Sequence, residues 1–143
     1  MINIYLEKTN GIFGKIINFI TGKDVNHCFL GFNDYFIEAG FWGVRIFDIQ
    51  EFSNRNIINK FVYSGNLPED HEIQIALMFI FLKNKPYDYL LTLSHLWKKI
   101  NVINSFNCVE IVYYICYKLG MQMNFNPYSK PHEIDLRGVN GWS

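Results

Sequence analysis

Two ionisable side chains, His27 and Glu38, interrupt apolar stretches that have the composition of paired β-strands. Asn33 and Asp34 separate the stretches, and both residue types tolerate the left-handed backbone of a tight turn. That turn predicts the pairs Phe32–Tyr35, Gly31–Phe36, Leu30–Ile37, Phe29–Glu38 and Cys28–Ala39. Because side chains alternate along a strand, His27 and Glu38 become diagonal neighbours on one face, about 7–8 Å apart at the backbone. A carboxylate at that distance can orient an imidazole for proton transfer.

Cys108 is the candidate nucleophile because it is expected to begin a helix. Asn107 is a favoured N-cap residue, and Glu110, three residues later, completes a capping box. Free backbone N–H groups and the positive end of the helix dipole stabilise a thiolate at this position. The N–H of Cys108 also provides half of an oxyanion hole. With His27 as base and Glu38 orienting its ring, the three side chains form a Cys-His-Glu set that can cleave acyl bonds.

The other cysteines and histidines are weaker candidates. Cys28 points to the opposite face of its strand from His27, and Cys116 lies two helical turns from Cys108, so both are predicted to be core residues. The remaining histidines are His71 at an acidic helix start, His95 on an expected helix surface and His132 beside a proline. The Cys108, His27 and Glu38 side chains also have a purely structural interpretation. His27 would then be a satisfied core histidine, Glu38 a solvent-facing side chain and Cys108 a packing residue.

Composition limits the classes of function. The 143 residues are 50% apolar, enough for a sizeable core, and predict a single domain over 1–143. Thirteen basic residues balance thirteen acidic ones, which argues against nucleic-acid binding. The N-terminus lacks a signal-peptide pattern, and the longest apolar run is shorter than the ~20 residues that span a bilayer. The three cysteines have neither the even count of a disulfide framework nor the paired spacing of a zinc site, which favours a reducing compartment and predicts no metal. We therefore expect a soluble, cytoplasmic monomer without a cofactor.

The order of the expected elements is that of an α+β domain. Strands are predicted over 2–7, 25–32, 35–41, 43–49 and 61–65, and helices over 11–22, 68–85, 87–100 and 107–120. The last helix is apolar nearly all round and is expected to be the buried central helix, ending at Gly120. The first helix carries Ile12, Phe13, Ile16, Ile17 and Ile20 on one face. We expect this face to pack inward and to form one wall of a substrate groove, with docking on a membrane as the alternative.

Four segments, in their order along the chain, resemble the circularly permuted NlpC/P60 superfamily of papain-like cysteine hydrolases, the YiiX/YebB-like group of bacteria and their phages. The segments are NHCFLGF around His27, FIEAG around Glu38, KPYDY, and NCVEIV around Cys108. The resemblance implies a papain-like α+β fold, with an antiparallel sheet packed against helices and the nucleophile at a helix N-terminus. It implies that Cys108 attacks, His27 transfers the proton and Glu38 orients the ring. It also implies that Tyr87, or Tyr89 as second choice, helps to stabilise the oxyanion.

The resemblance implies a thiol hydrolase that cleaves an amide bond, in a peptide, an isopeptide or a peptidoglycan-derived substrate, or an ester bond. The string NCxxxV also resembles the lecithin:retinol-acyltransferase-like group, which acts on lipid esters and amides and typically carries a second histidine at the position of Glu38. Acyl transfer or hydrolysis on lipids is therefore the alternative. A non-catalytic binding or virion component on the same fold is a third interpretation. A phage-encoded protein would act in the host cytoplasm or in the virion, and membrane contact is the less favoured expectation.

Overall fold

A computed structural model of the chain describes residues 1–88 and 106–143. The strands are β1 (Ile2–Glu7), β2 (His27–Phe32), β3 (Tyr35–Gly40), β4 (Gly43–Asp48) and β5 (Ile57–Tyr63). The helices are α1 (Ile12–Thr21), α2 (Ile49–Phe52), α3 (His71–Leu82) and α4 (Cys108–Lys118), followed by a 3-10 turn at Pro131–Glu133. The helix predicted over 87–100 lies outside the described residues, apart from its first two positions.

The five strands form one antiparallel sheet in the order β4-β3-β2-β1-β5. The predicted α+β class with an antiparallel sheet is thus confirmed. β5 begins at Ile57, four residues before its predicted start, because the mostly exposed residues 57–60, two isoleucines followed by an asparagine and a lysine, continue the pairing with β1. The short helix α2 was not predicted from the sequence. The Asp48 carboxylate caps it by accepting hydrogen bonds from the N–H groups of Gln50 and Glu51.

The two faces of the sheet bury different sets of side chains. On one face, alternate residues of the strands form the main core with α3 and α4, and α4 contacts both β2 and β3. The opposite face carries a separate aromatic cluster of Tyr5, Phe29, Phe36 and Phe47, against which Phe52 of α2 packs. This division means that a side chain's position along its strand decides which layer it enters.

The hairpin of β2 and β3 has the predicted turn and register over its first half. Asn33 has a left-handed φ of 53°, and the pairs Phe32–Tyr35, Gly31–Phe36 and Leu30–Ile37 are present. The ladder ends there, so the further expected pairs Phe29–Glu38 and Cys28–Ala39 do not form. Beyond that point β2 continues to pair with β1, and β3 continues to pair with β4. The hairpin is therefore open at the end that carries His27 and Glu38.

The helix α4 begins and ends as the sequence predicts. The Asn107 side chain accepts hydrogen bonds from the N–H groups of Val109 and Glu110, and the Glu110 carboxylate accepts one from the Asn107 N–H at 2.8 Å. Gly120 has a left-handed φ of 70° just beyond the helix end. Seven residues of α4 are buried, and Cys108 is its first residue. The prediction of a buried, capped helix that starts at the candidate nucleophile is confirmed.

The helix α1 is present as predicted, but its orientation differs. The Asn26 side chain, just before β2, holds the start of α1 in place. It forms hydrogen bonds with the backbone of Thr9 and with the carbonyl of Gly14, the latter at 3.1 Å. A side chain at position 14 would overlap Thr9 and Asn26, so Gly14 permits this close approach. The predicted inward packing is wrong for Ile12 and Ile16, which are exposed because α1 meets the body of the protein through Gly14.

Candidate active site

His27 and Glu38 are in direct contact at the open end of the hairpin. The Nε2 atom of His27, the first residue of β2, lies 2.8 Å from Oε2 of Glu38 on β3. Both side chains are largely buried. The structure therefore brings together the two residues that the alternation of side chains predicted to be neighbours, and it leaves Nδ1 as the ring nitrogen available to a second partner.

That second partner is Cys108, which interacts with His27 from the N-terminus of α4. Burial alone would lower the pKa of His27, but hydrogen bonds and negative charge from Cys108 and Glu38 raise the pKa to about 10. The pKa of Cys108 is held well below its usual range. Opposite shifts in adjacent groups favour a thiolate beside an imidazolium, the ionisation state that a nucleophilic cysteine requires.

Cys28 is a neighbour of Cys108 that the sequence analysis placed only in the core. Cys28 is fully buried, as predicted. A hydrogen bond from its thiol is the largest influence lowering the pKa of Cys108; burial opposes it, while His27 and the backbone of Cys28 add to the lowering. Burial raises the pKa of Cys28 itself, so this thiol stays protonated and can donate. Both donors come from the part of β2 that β3 leaves unpaired.

Two arginines that the sequence analysis did not single out hold the carboxylate of Glu38. Arg55 donates to Glu38 at 2.8 and 3.0 Å and to Glu7 at 2.9 Å, while Arg45 contacts Glu38 at 2.6 Å and Glu51 at 2.6 Å. Arg45 could have been found, because the β3–β4 register pairs it directly with Glu38. Arg55 lies in the loop before β5, where no local sequence pattern points to the site.

These contacts fix the charge state of Glu38. Burial alone would raise its pKa, but hydrogen bonds and positive charge from His27 and then Arg55 hold the pKa well below its usual range. The pKa of Arg55 is raised, because the interactions with Glu38 and Glu7 outweigh the effect of burial. With His27 protonated, three cations (His27, Arg45 and Arg55) face three carboxylates (Glu7, Glu38 and Glu51). The Cys108 thiolate then lies beside a cluster with no net charge, in which the nearest cation is His27.

A cavity of about 450 Å³ opens beside these residues. Its wall includes Gly14, Ile17, His27, Glu38, Trp42 and Tyr87. The predicted contribution of α1 to the groove wall is thus present, although through Gly14 and Ile17. Cys108, only 6% exposed, is not among the lining residues and adjoins the cavity through His27. Tyr87, the first choice for the oxyanion, lines the cavity, whereas Tyr89 lies outside the described residues.

The remaining histidines are not brought to this cavity within the described part of the chain. His71 is half-buried at the start of α3, where its Nδ1 lies 2.8 Å from the carbonyl of Pro68. His132 lies in the 3-10 turn, and burial lowers its pKa. His95 falls outside the described residues. Among the described histidines, the choice of His27 as the partner of Cys108 agrees with its position.

One group of side chains could in principle hold a metal ion. Ligand atoms of Glu7, His27 and Glu38 lie within 4.8 Å of one another. The guanidinium of Arg55 already bonds to both carboxylates, with Nη1 at 2.9 Å from Glu7 and 3.0 Å from Glu38. A cation-binding arrangement is therefore satisfied by a side chain of the protein, and a metal would have to displace it.

Comparisons with known proteins give no family assignment. No family model matches the chain, and no curated protein matches it. Among the described residues, the structure contains no helix with the length and apolar character needed to cross a bilayer. The geometry and charge of the site itself are therefore what indicates a function.

Proposed function

We propose that this protein is a thiol hydrolase of amide or ester bonds, with Cys108 as nucleophile, His27 as proton carrier and Glu38 as the orienting carboxylate. The observation that carries the proposal is the position of His27, which contacts Glu38 through Nε2 and interacts with Cys108 at the start of α4. A histidine between a carboxylate and a thiol of lowered pKa is the arrangement that activates a cysteine.

The proposed reaction starts from the thiolate–imidazolium pair. The Cys108 sulfur attacks the carbonyl carbon, forming a C–S bond while the carbonyl π electrons move to the oxygen. Collapse of this intermediate expels the amine or alcohol, which takes its proton from His27. His27, now neutral, takes a proton from water as the hydroxyl attacks the thioester, and release of the acid breaks the C–S bond and restores the thiolate.

The proposal assigns two donors to the oxyanion. The backbone N–H of Cys108 lies at the start of α4, where the first N–H groups of a helix have no partner inside it. Tyr87 lines the cavity that Cys108 adjoins through His27; it lies in the loop after α3, and hydrogen bonds between Val44 and residues 84 and 85 hold that loop against β4. We assign the second donor to the Tyr87 hydroxyl.

We further propose that the fold is the circularly permuted papain-like arrangement of the NlpC/P60 superfamily. Support comes from the chain order of the site, in which the histidine strand precedes the carboxylate strand and the cysteine helix comes last. A five-stranded antiparallel sheet packed against helices is compatible with that arrangement and with others. The order of the three site residues, rather than the sheet, therefore supports the assignment.

Selective alkylation tests the nucleophile. Iodoacetamide at neutral pH, followed by peptide mapping, is expected to label Cys108 well ahead of Cys28 and Cys116, because burial raises the pKa of both of the latter thiols. Cys116→Ala is the matched control and should leave the labelling rate of the protein unchanged, whereas Cys108→Ala should abolish the fast phase. Preferential labelling of Cys28 or Cys116 would overturn the assignment.

Substrate class is tested separately by mass spectrometry. The wild-type protein is incubated with muropeptides, isopeptides and acyl lipids, and intact mass reveals an acyl-enzyme that should be absent from Cys108→Ala. Alkylation of Cys108 without turnover on any member of this panel would favour the non-catalytic interpretation. Turnover only on lipids would favour the acyltransferase-like alternative.

A further inference from the structure

An exposed apolar stripe runs along α1. Ile12, Ile16 and Phe19 fall within an arc of about 60° at 100° per residue. They are 79%, 48% and 90% exposed, although an amphipathic helix in a globular protein ordinarily buries such a face. The other side of α1 faces the cavity through Gly14 and Ile17. The stripe therefore lies on the outer surface of the helix that walls the site.

A second exposed apolar element lies on the same cavity. Phe41 and Trp42 form the tip of the β3–β4 hairpin, between the paired residues Gly40 and Gly43. Trp42 is 93% exposed, and its ring packs edge-to-face on Phe41 with centroids 4.8 Å apart. Both aromatic residues line the cavity together with His27. Two separate elements that line one cavity thus each present apolar side chains to solvent.

The charges near the stripe are positive. Residues 8–23 contain three lysines (Lys8, Lys15 and Lys23) and no acidic residue. Lys8 pairs with Asp24, while Lys15 lies about 60° from Ile12 around the helix, at the border of the stripe. The exposed apolar face of α3 differs in net charge, because Glu69, Asp70 and Glu72 at its start outnumber Lys83 and Lys85 at its end. Net positive charge therefore distinguishes the surface of α1 from the exposed apolar face of α3.

We propose that the apolar rim, defined as Ile12, Ile16, Phe19, Phe41 and Trp42, docks on the surface of an anionic lipid bilayer. A helix with an apolar face bordered by lysine is suited to lie in the interface, and tryptophan prefers the headgroup region. Anionic lipid complements the lysines. Docking would hold α1 and the β3–β4 tip, both of which contribute lining residues to the cavity, at the level of the headgroups. The proposal concerns where the protein acts and does not depend on the hydrolysis proposed above.

Vesicle co-sedimentation tests the rim. Cys108→Ala protein, which cannot turn over lipid by the proposed route, is mixed with phosphatidylcholine vesicles with or without phosphatidylglycerol. Binding is expected only with the anionic vesicles, and Ile16→Asp with Phe19→Asp should weaken it at least about tenfold. Leu77→Asp with Ile80→Asp is the matched control, since these side chains are exposed on α3 and are not part of the rim. Circular dichroism confirms that each variant is folded.

Several outcomes would overturn the proposal. These are no binding of the parent protein to anionic vesicles, or an equal loss in the α3 control. A dimer that dissociates in the Ile16→Asp, Phe19→Asp variant would assign the rim to a second copy instead. If that variant does not fold, Lys15→Glu with Lys23→Glu must reduce binding to anionic vesicles for the proposal to stand. Alkylation of Cys108 in the wild-type protein is measured alongside, so failure of docking is distinguished from failure of the nucleophile.

Discussion

Replacement of Arg55 by methionine is the most informative perturbation of the carboxylate cluster. The guanidinium contacts Glu7 at 2.9 Å, Glu38 at 2.8 Å and Glu51 at 3.3 Å, and it lies 4.5 Å from the centroid of Phe47. Methionine retains most of the apolar stem and can still pack against Phe47. The substitution therefore removes the charge and its hydrogen bonds while preserving much of the packing.

The expected cost follows from what is left behind. Arg55 is 12% exposed, and it is the one cation within ion-pair distance of Glu7 among the described residues, so its loss leaves a buried carboxylate without an ion-pair partner. Breaking a buried pair in this way costs about 3–5 kcal/mol. Arg45 is 50% exposed, and without it Glu38 still has Arg55 and His27. We expect Arg45→Met to cost about 1 kcal/mol or less, as for surface ion pairs.

Urea denaturation at neutral pH, followed by circular dichroism, measures both free energies of unfolding. Glu7→Gln in the Arg55→Met background should recover part of the loss, because it removes the unpaired charge. The slope of the unfolding free energy against urea should stay constant across the set. Equal costs for the two arginine variants, or no recovery on adding Glu7→Gln, would refute the assignment of Arg55 as the central counter-ion.

Two further predictions concern pH. The rate of Cys108 alkylation should rise less steeply between about pH 6 and 8 in the wild-type protein than in His27→Ala, because the variant loses the hydrogen bond and charge of His27 that lower the Cys108 pKa while burial still raises it. Equal slopes in the two proteins would remove His27 as the partner. The lowered pKa of Glu38 gives stability that is present above its unfolded pKa near 4.5 and lost as pH falls. The free energy of unfolding, measured by urea titration, should therefore fall less between pH 5 and 3 in Glu38→Gln than in the wild type. An equal fall in the two proteins would contradict a lowered pKa of Glu38.

Local signals in the sequence predicted much of the site. The two-residue Asn-Asp turn determines which residues of the hairpin share a face, and it places His27 and Glu38 on the same one. The capping box of Asn107 and Glu110 likewise fixed the start of α4 at Cys108. Each of these depends on residues close together in the chain. That is why the contact between His27 and Glu38 and the buried start of α4 agree with the sequence analysis.

Other features depend on long-range packing and could not be read in this way. Ile12 and Ile16 point outward because α1 packs through Gly14 against Asn26, and the spacing of apolar residues does not indicate this close contact. Arg55 reaches Glu38 from 17 residues away through an irregular loop. The early end of the β2–β3 ladder likewise has no sequence marker, and neither does the interaction of Cys28 with Cys108.

The open end of the hairpin affects how much sequence variation the nucleophile can tolerate. Part of the stabilisation of the Cys108 thiolate comes from the backbone of Cys28, which every residue type except proline would also supply. A change of side chain at position 28 therefore removes the thiol donor, the larger of the two influences, and leaves the smaller backbone donor in place. An insertion that extended the β2–β3 ladder to Cys28 would instead engage its backbone in strand pairing and weaken the site without altering any of the three site side chains. The point at which the two strands separate is thus a determinant of the Cys108 pKa in addition to the side chains themselves.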